Sequence, residues 1–253
     1  MKPIAAAVLA VVMAVSAWSQ QALAQDGNGP APVEAFFCNL QEGKSMKDLM
    51  AVADRFAKWA DKNDPSYSAW ILTSQFAQFR DMPRVIWLGS NPDGNALGRG
   101  MDTWQATGGD IQKAFDDVIQ CAAHGLASSV EILAPDGPPG DGVVMFVQCS
   151  IAEGSDWMKA VGAHKRYAQA MRDLGAKNSA WLFFPMLGGA EDRDFDYWGV
   201  STFANWTDYF AAYELYVSGG GYQKALEATK GVASCEQGTP TVWDVKLVHK
   251  GAS

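Results

Sequence analysis

Three histidines and four cysteines carry the open chemistry of this 253-residue chain: His124, His164 and His249, with Cys38, Cys121, Cys149 and Cys235. A histidine titrates close to neutral pH and serves as acid, base or metal ligand. Cysteines bind metal as thiolates or pair as disulfides. The sequence has no C-x-x-C and no closely spaced histidine pair, so the pattern does not read as a zinc site. Four cysteines leave three disulfide connectivities open. Trp70, Trp87, Trp181 and Trp198 form a second group of interest. An indole is a large flat apolar surface with one N–H donor, suited to lining a cavity for a flat apolar ligand or to filling a core. There is no phosphate-cradling glycine loop, G-x-S-x-G elbow or H-E-x-x-H. The acidic run Glu191 to Asp196 lacks the glycine and glutamate spacing of a calcium loop. No acid/base or nucleophile constellation emerges, and the catalytic residues stay unassigned.

The formal net charge of -8 argues against a nucleic-acid partner and against docking on anionic lipid. A composition 48% hydrophobic and 11% aromatic is that of a chain with a substantial core and excludes a disordered one. Met1-Lys2-Pro3, the uncharged run Ile4 to Ala17 and the A-x-A site Ala22-Leu23-Ala24 read as a secretory signal over residues 1–24. The apolar run is shorter than the about 20 residues that a helix needs to cross a bilayer, so no membrane insertion is expected after cleavage. Residues 25–32 read as a flexible leader broken by Gly and Pro. The expected location is periplasmic or secreted, an oxidising setting that favours two disulfides over four thiols.

An internal repeat organises the rest. At an offset of 111 residues, Cys38 falls on Cys149, Arg55 on Arg166, Ser68-Ala69-Trp70 on Ser179-Ala180-Trp181, and Trp87 on Trp198. Rare residues holding one spacing without a gap read as a tandem duplication. Copy one spans residues 33–134 and copy two 143–249, with the Pro- and Gly-rich linker 135–142 between them. In copy one, apolar periodicity and turn signals predict a strand over Val33 to Leu40, a helix over Ser45 to Lys62, strands over Tyr67 to Phe79 and Arg84 to Ser90, a helix over Ile111 to Ala123 capped by Asp110, and a strand over Ser128 to Leu133. Copy two repeats this, with an extra helix over Thr207 to Val217. The order β-α-β-β-α-β is the ferredoxin-like unit, an α+β arrangement with helices on one face of the sheet. Two such units cover their bare faces by packing sheet to sheet.

Symmetry between the copies then selects one bridge in each, Cys38 with Cys121 and Cys149 with Cys235, worth about 4 kcal/mol apiece on the loop-entropy account. In this reading His124 ends a helix and is structural, and His249 lies in a solvent-facing tail. His164 falls on the sheet-facing side of the copy-two helix with Trp157, Val161, Ala168 and Met171, where copy one has Ala53. The tryptophan pairs sit on the central strands, either lining a cavity or packing the contact between copies.

Over about residues 33 to 248, this pattern resembles the fused two-copy members of the dimeric α/β-barrel superfamily. That superfamily includes antibiotic-biosynthesis-type monooxygenases, stress-response barrel proteins and haem enzymes of the chlorite dismutase-like group. The resemblance implies a pseudo-dimeric barrel. Its cofactor-free oxygenases work in an apolar cleft without a catalytic motif, and its haem-binding members place an axial histidine on a helix of the second copy. The expectation is therefore an exported binder of a small apolar or aromatic ligand, with no cofactor. One alternative is a haem protein with His164 as axial ligand. The other is a structural or interaction protein with no ligand.

Overall fold

In a computed structural model, residues 29–77, 83–188, 193–235 and 239–252 are described; the expected signal peptide lies outside them. The first half runs β1 (Ala31–Leu40), α1 (Met46–Asn63), β2 (Ser68–Phe76), β3 (Val85–Ser90), α2 (Gly94–Thr107), α3 (Gly109–Asp116) and β4 (Ile119–Leu133). The second runs β5 (Gly142–Ile151), α4 (Trp157–Asp173), β6 (Ser179–Leu187), β7 (Tyr197–Phe203), α5 (Trp206–Val217), α6 (Gly221–Thr229), the short β8 (Ala233–Ser234) and β9 (Thr241–His249).

Local chemistry sets where these elements begin. Ser45 caps α1 reciprocally: its hydroxyl accepts from the Asp48 amide, and the Asp48 carboxylate accepts from the Ser45 amide. Asp156, Asp93 and Asn205 cap α4, α2 and α5 through side-chain oxygens. Each strand then finds antiparallel partners. β1 lies between β3 and β4, and β5 between β7 and β9. The halves join through β4 with β6 and β2 with β9, which closes a barrel of eight antiparallel strands. Val33, Leu72, Ile86, Ala127, Val144, Phe183, Val200 and Trp243 fill its interior. The helices lie outside, α1 over the first half's strands and α4 over the second's. Among the described residues no helix is long and apolar enough to cross a membrane.

Several expectations are corrected. The helix expected over Ile111 to Ala123 stops at Asp116, and its N-cap is Gly108 rather than Asp110. Cys121 and His124 therefore sit on β4, a strand that begins nine residues before the expected Ser128. The small residues Ala122, Ala123, Gly125 and Ala127 carry little strand signal of their own; pairing with β1, register-locked by Cys38 opposite Cys121, overrides propensity. Helix α2 was not expected, because Gly94, Gly98 and Gly100 dilute its pattern. Gly100 lets that helix approach Asp64, whose Oδ2 would lie 2.2 Å from an added Cβ. A helix before the glycines is thus common to both halves and not an addition to the second. β1 starts at Ala31, inside the expected leader.

The largest correction is one of register. Cys38 faces Val85 across the ladder, whereas Cys149 faces Tyr197, one position further along β7 than the repeat offset allows. A slip of one residue exchanges the faces of a strand. Trp87 consequently points outward beneath α1, while Trp198 points into the barrel beside Trp70 and Trp181. The residue that occupies the place of Trp87 in the second half is Gly199: Trp87 pairs with Phe36 and Ile71, and Gly199 with their counterparts Val147 and Leu182.

Candidate functional site

The space between helices and strands is treated differently in the two halves. In the first, aromatic rings fill it. Phe56 of α1 meets the Trp87 ring edge-on with centroids 4.8 Å apart, Trp59 meets Trp104 at 4.9 Å, and Trp87 meets Phe115 at 5.2 Å. In the second, Tyr167 stands at the position of Phe56, Ala170 at that of Trp59 and Gly199 at that of Trp87. What remains is a cavity of about 890 Å³, bounded by α4, α5, α6 and the outward face of the strands. Its wall is largely apolar and aromatic, with Met145, Tyr167, Met171, Phe203 and Tyr216 among the residues that form it. Phe210, Tyr213, Tyr222 and Leu226 also border it and are exposed.

The polar groups on this cavity include His164, Asn178, Ser201, Thr229 and several tyrosine hydroxyls. His164 projects from α4 toward the strands and is 9% exposed. Its Nε2 lies 2.8 Å from the Tyr197 hydroxyl, and the two rings meet edge to face. Burial lowers the His164 pKa to about 4, so the imidazole is neutral at physiological pH. Burial, helped by Asp196, raises the Tyr197 phenol, and burial followed by Tyr216 raises that of Tyr167. Both hydroxyls are therefore uncharged at physiological pH. Asn178 borders the same space, and its Oδ1 is buried without a hydrogen-bond partner. An acceptor left so costs about 1–3 kcal/mol unless something that enters the cavity donates to it.

The disulfides pair as expected, Cys38 with Cys121 and Cys149 with Cys235. The second borders the cavity: both of its sulfurs and a ring nitrogen of His164 lie within 4.8 Å of one another. The structure thus brings His164 and Cys235 to one site. Trp181 touches the cavity edge, but Trp70 and Trp198 belong to the barrel interior and Trp87 to the filled half, so the four tryptophans do not share a wall.

The other two histidines are not where the sequence pointed. His249 is buried at the end of β9, with Nδ1 against the Tyr67 carbonyl and Nε2 3.1 Å from Asp61. His124 stacks on Phe36, ring centroids 3.7 Å apart, and its Nε2 lies 2.9 Å from Glu34 Oε2. The Tyr67 hydroxyl donates to Glu34 Oε1 at 2.6 Å and accepts from the Trp87 indole at 3.1 Å. Burial and the adjacent Glu34 carboxylate push the Tyr67 phenol well above its ordinary pKa. This network of Glu34, Tyr67, His124 and Trp87 escaped the sequence reading because its members are scattered along the chain. Gly89 leaves room for it: an added Cβ there would lie 1.7 Å from the Tyr67 hydroxyl oxygen.

The donor set fits haem poorly. The tip nitrogen of His164 is held by Tyr197, and the Cys149–Cys235 sulfurs crowd the ring. An iron at that nitrogen would have to displace the tyrosine and sit against the disulfide. Lys230 is the one cationic side chain among the residues that form the cavity wall, too few for a pair of acidic substituents.

No family profile and no curated protein matches this sequence. Solved structures do match. A provisionally assigned monooxygenase from Lactobacillus acidophilus is 11% identical, with 88% of this chain and 96% of that one covered and a TM-score of 0.55. A provisionally assigned monooxygenase from Fusobacterium nucleatum is 8% identical, over 89% and 97%, also at 0.55. A provisionally assigned chlorite dismutase is 13% identical, over 87% and 95%, at 0.50. What these likenesses and the closed sheet define is a fold, a mixed α+β barrel of eight antiparallel strands like that of dimeric α/β-barrel proteins. Identities this low speak for the fold alone.

Proposed function

We propose that this protein is exported and binds a flat, neutral, largely apolar aromatic ligand in the cavity between α4, α5, α6 and the strands of its second half. One observation carries the reading. The place that Trp87, Trp59 and Phe56 pack solid in the first half is hollow in the second, although the main strands and helices follow the same order. A cleft of this size with a largely apolar wall and a few polar groups is the form that small-molecule sites take. The neutral His164, the uncharged tyrosine hydroxyls and the unpaired Asn178 oxygen favour a ligand without charge that offers a hydrogen-bond donor. The repeated spacing of the chain supports a tandem duplication in which one copy kept its filling and the other lost it. Two disulfides support an oxidising compartment.

The test is a thermal-shift and fluorescence screen of the full protein with neutral polycyclic phenols. A true ligand at 100 times its Kd stabilises by about 2.7 kcal/mol. The variant Gly199→Phe, which returns a ring to the hollow, is expected to abolish that shift. Binding that survives in Gly199→Phe, or a panel that stabilises nothing, refutes the proposal. Haem added as one arm should give no His164-dependent absorption change; a Soret band lost in His164→Ala would establish the haem alternative instead.

A further inference from the structure

We propose that Cys149, Cys235 and His164 form a redox-gated site for a thiophilic cation such as Zn²⁺, closed while the cysteines are joined and open once they are reduced. The two sulfurs and a ring nitrogen of the histidine already lie within 4.8 Å of one another. Ligand atoms at about 2.3 Å (sulfur) and 2.0–2.1 Å (nitrogen) from a tetrahedral zinc stand some 3.5 Å apart, so small side-chain movements complete the set. In the oxidised chain the sulfurs spend their bonding on each other. A dithiol reductant supplies two electrons and two protons: the Cys149–Cys235 bond breaks, two thiols form, and the reductant leaves as its own disulfide. The cation then displaces both thiol protons and is held by two thiolates and one imidazole. With Nε2 engaged by the Tyr197 hydroxyl at 2.8 Å, the proposed cation takes Nδ1, and Tyr197 serves as the outer partner that fixes the ring.

Two features give this site its character. A Cys₂His set leaves the fourth tetrahedral position for water or a ligand, as in open rather than closed zinc sites. His164 and Cys235 both border the cavity, so the site adjoins the space proposed for the ligand. The first half supplies an internal control. It has the equivalent disulfide, Cys38–Cys121, but Ala53 in place of His164, and so lacks the third ligand. The inference does not depend on the aromatic ligand, since it needs only the three side chains.

The experiment reduces the full oxidised protein with a water-soluble phosphine, removes the phosphine without air, confirms the fold by circular dichroism and titrates with Co²⁺. The reduced protein is expected to take one Co²⁺ per chain with thiolate-to-cobalt charge-transfer absorption, and the untreated protein to show none. Bound Co²⁺ should shield Cys149 and Cys235, but not Cys38 and Cys121, from alkylation read by mass spectrometry. In His164→Ala the affinity should fall by about tenfold or more, since a direct ligand is worth at least what an outer partner is. Absence of the charge-transfer band, loss of fold on reduction, shielding of Cys38 and Cys121 instead, or equal binding by His164→Ala would each overturn the proposal.

Discussion

Set side by side, the halves of this barrel follow one chain path and reach opposite interiors on their helix sides. The first buries Trp87, Phe56 and Tyr67 in contact with one another, with the indole N–H, the phenol and Glu34 satisfying each other. The second puts Gly199, Tyr167 and Asn178 at the same places and leaves about 890 Å³ open. Backbone topology therefore does not decide whether a site exists. The loss of ring volume at Trp87, Trp59 and Tyr67, where the second half has Gly199, Ala170 and Asn178, does.

The contrast breaks most visibly in the filled half. Trp87→Gly removes a residue that is 7% exposed together with its contacts to Phe56 and Phe115. It should cost about 3–5 kcal/mol in urea unfolding, as large-to-small core substitutions of aromatic residues do. A cost under about 1 kcal/mol would mean that the first half is not held by its aromatic filling. Gly89→Ala should follow at about 3 kcal/mol, because the new methyl would lie 1.7 Å from the Tyr67 hydroxyl oxygen and force that buried phenol off Glu34. A variant as stable as the parent would show that Tyr67 has room to move.

In the hollow half the comparable test is pH. Burial depresses His164 from 6.5 to about 4. Between those values the unfolded chain takes up a proton that the folded chain refuses, so the unfolded state binds more protons and stability falls as pH falls. The contribution is fully present above about pH 6.5 and gone below about pH 4, and a shift of this size is worth roughly 3 kcal/mol. The first half has Ala53 there and contributes nothing of the kind. Subtracting the pH profile of His164→Gln from that of the parent isolates the effect. A difference under about 1 kcal/mol across that window would place the imidazole in contact with water.

How far the sequence announces this contrast depends on the range of the interactions involved. The split βαβ order and both cysteine pairings are legible, because residues that match at an offset of 111 place one strand cysteine and one later cysteine in each half. His164 is legible as a sheet-facing position that diverged from Ala53. The exchange of Trp87 for Gly199 is hidden, because an ungapped offset aligns Trp87 with Trp198, and a slip of one residue appears only in the ladder facing Cys149. The cavity is hidden with it. The burial of Glu34 and His249, and the contact of His124 with Glu34, depend on partners brought together by the barrel, which no local pattern reveals.

The smallest effect gives the sharpest comparison, because it sets one strand glycine against another. At Gly199 an added Cβ would lie 3.0 Å from Val147 Cγ1 and 3.5 Å from Cys149 Sγ, contacts that a small rotation of the valine relieves. A glycine within a strand also gives up side-chain packing and conformational entropy that alanine restores. These terms oppose each other, so Gly199→Ala should change stability by less than about 1 kcal/mol. If glycine is there to keep the wall of a site open and not to relieve a backbone constraint, this near-neutral change should still weaken ligand binding, since the methyl projects from the cavity face of β7. Calorimetric titration of parent and variant with a ligand from the thermal-shift screen reads the two quantities together. A loss of stability like that of Gly89→Ala, with binding unchanged, would make Gly199 a packing glycine like Gly89 and remove the contrast on which the site rests.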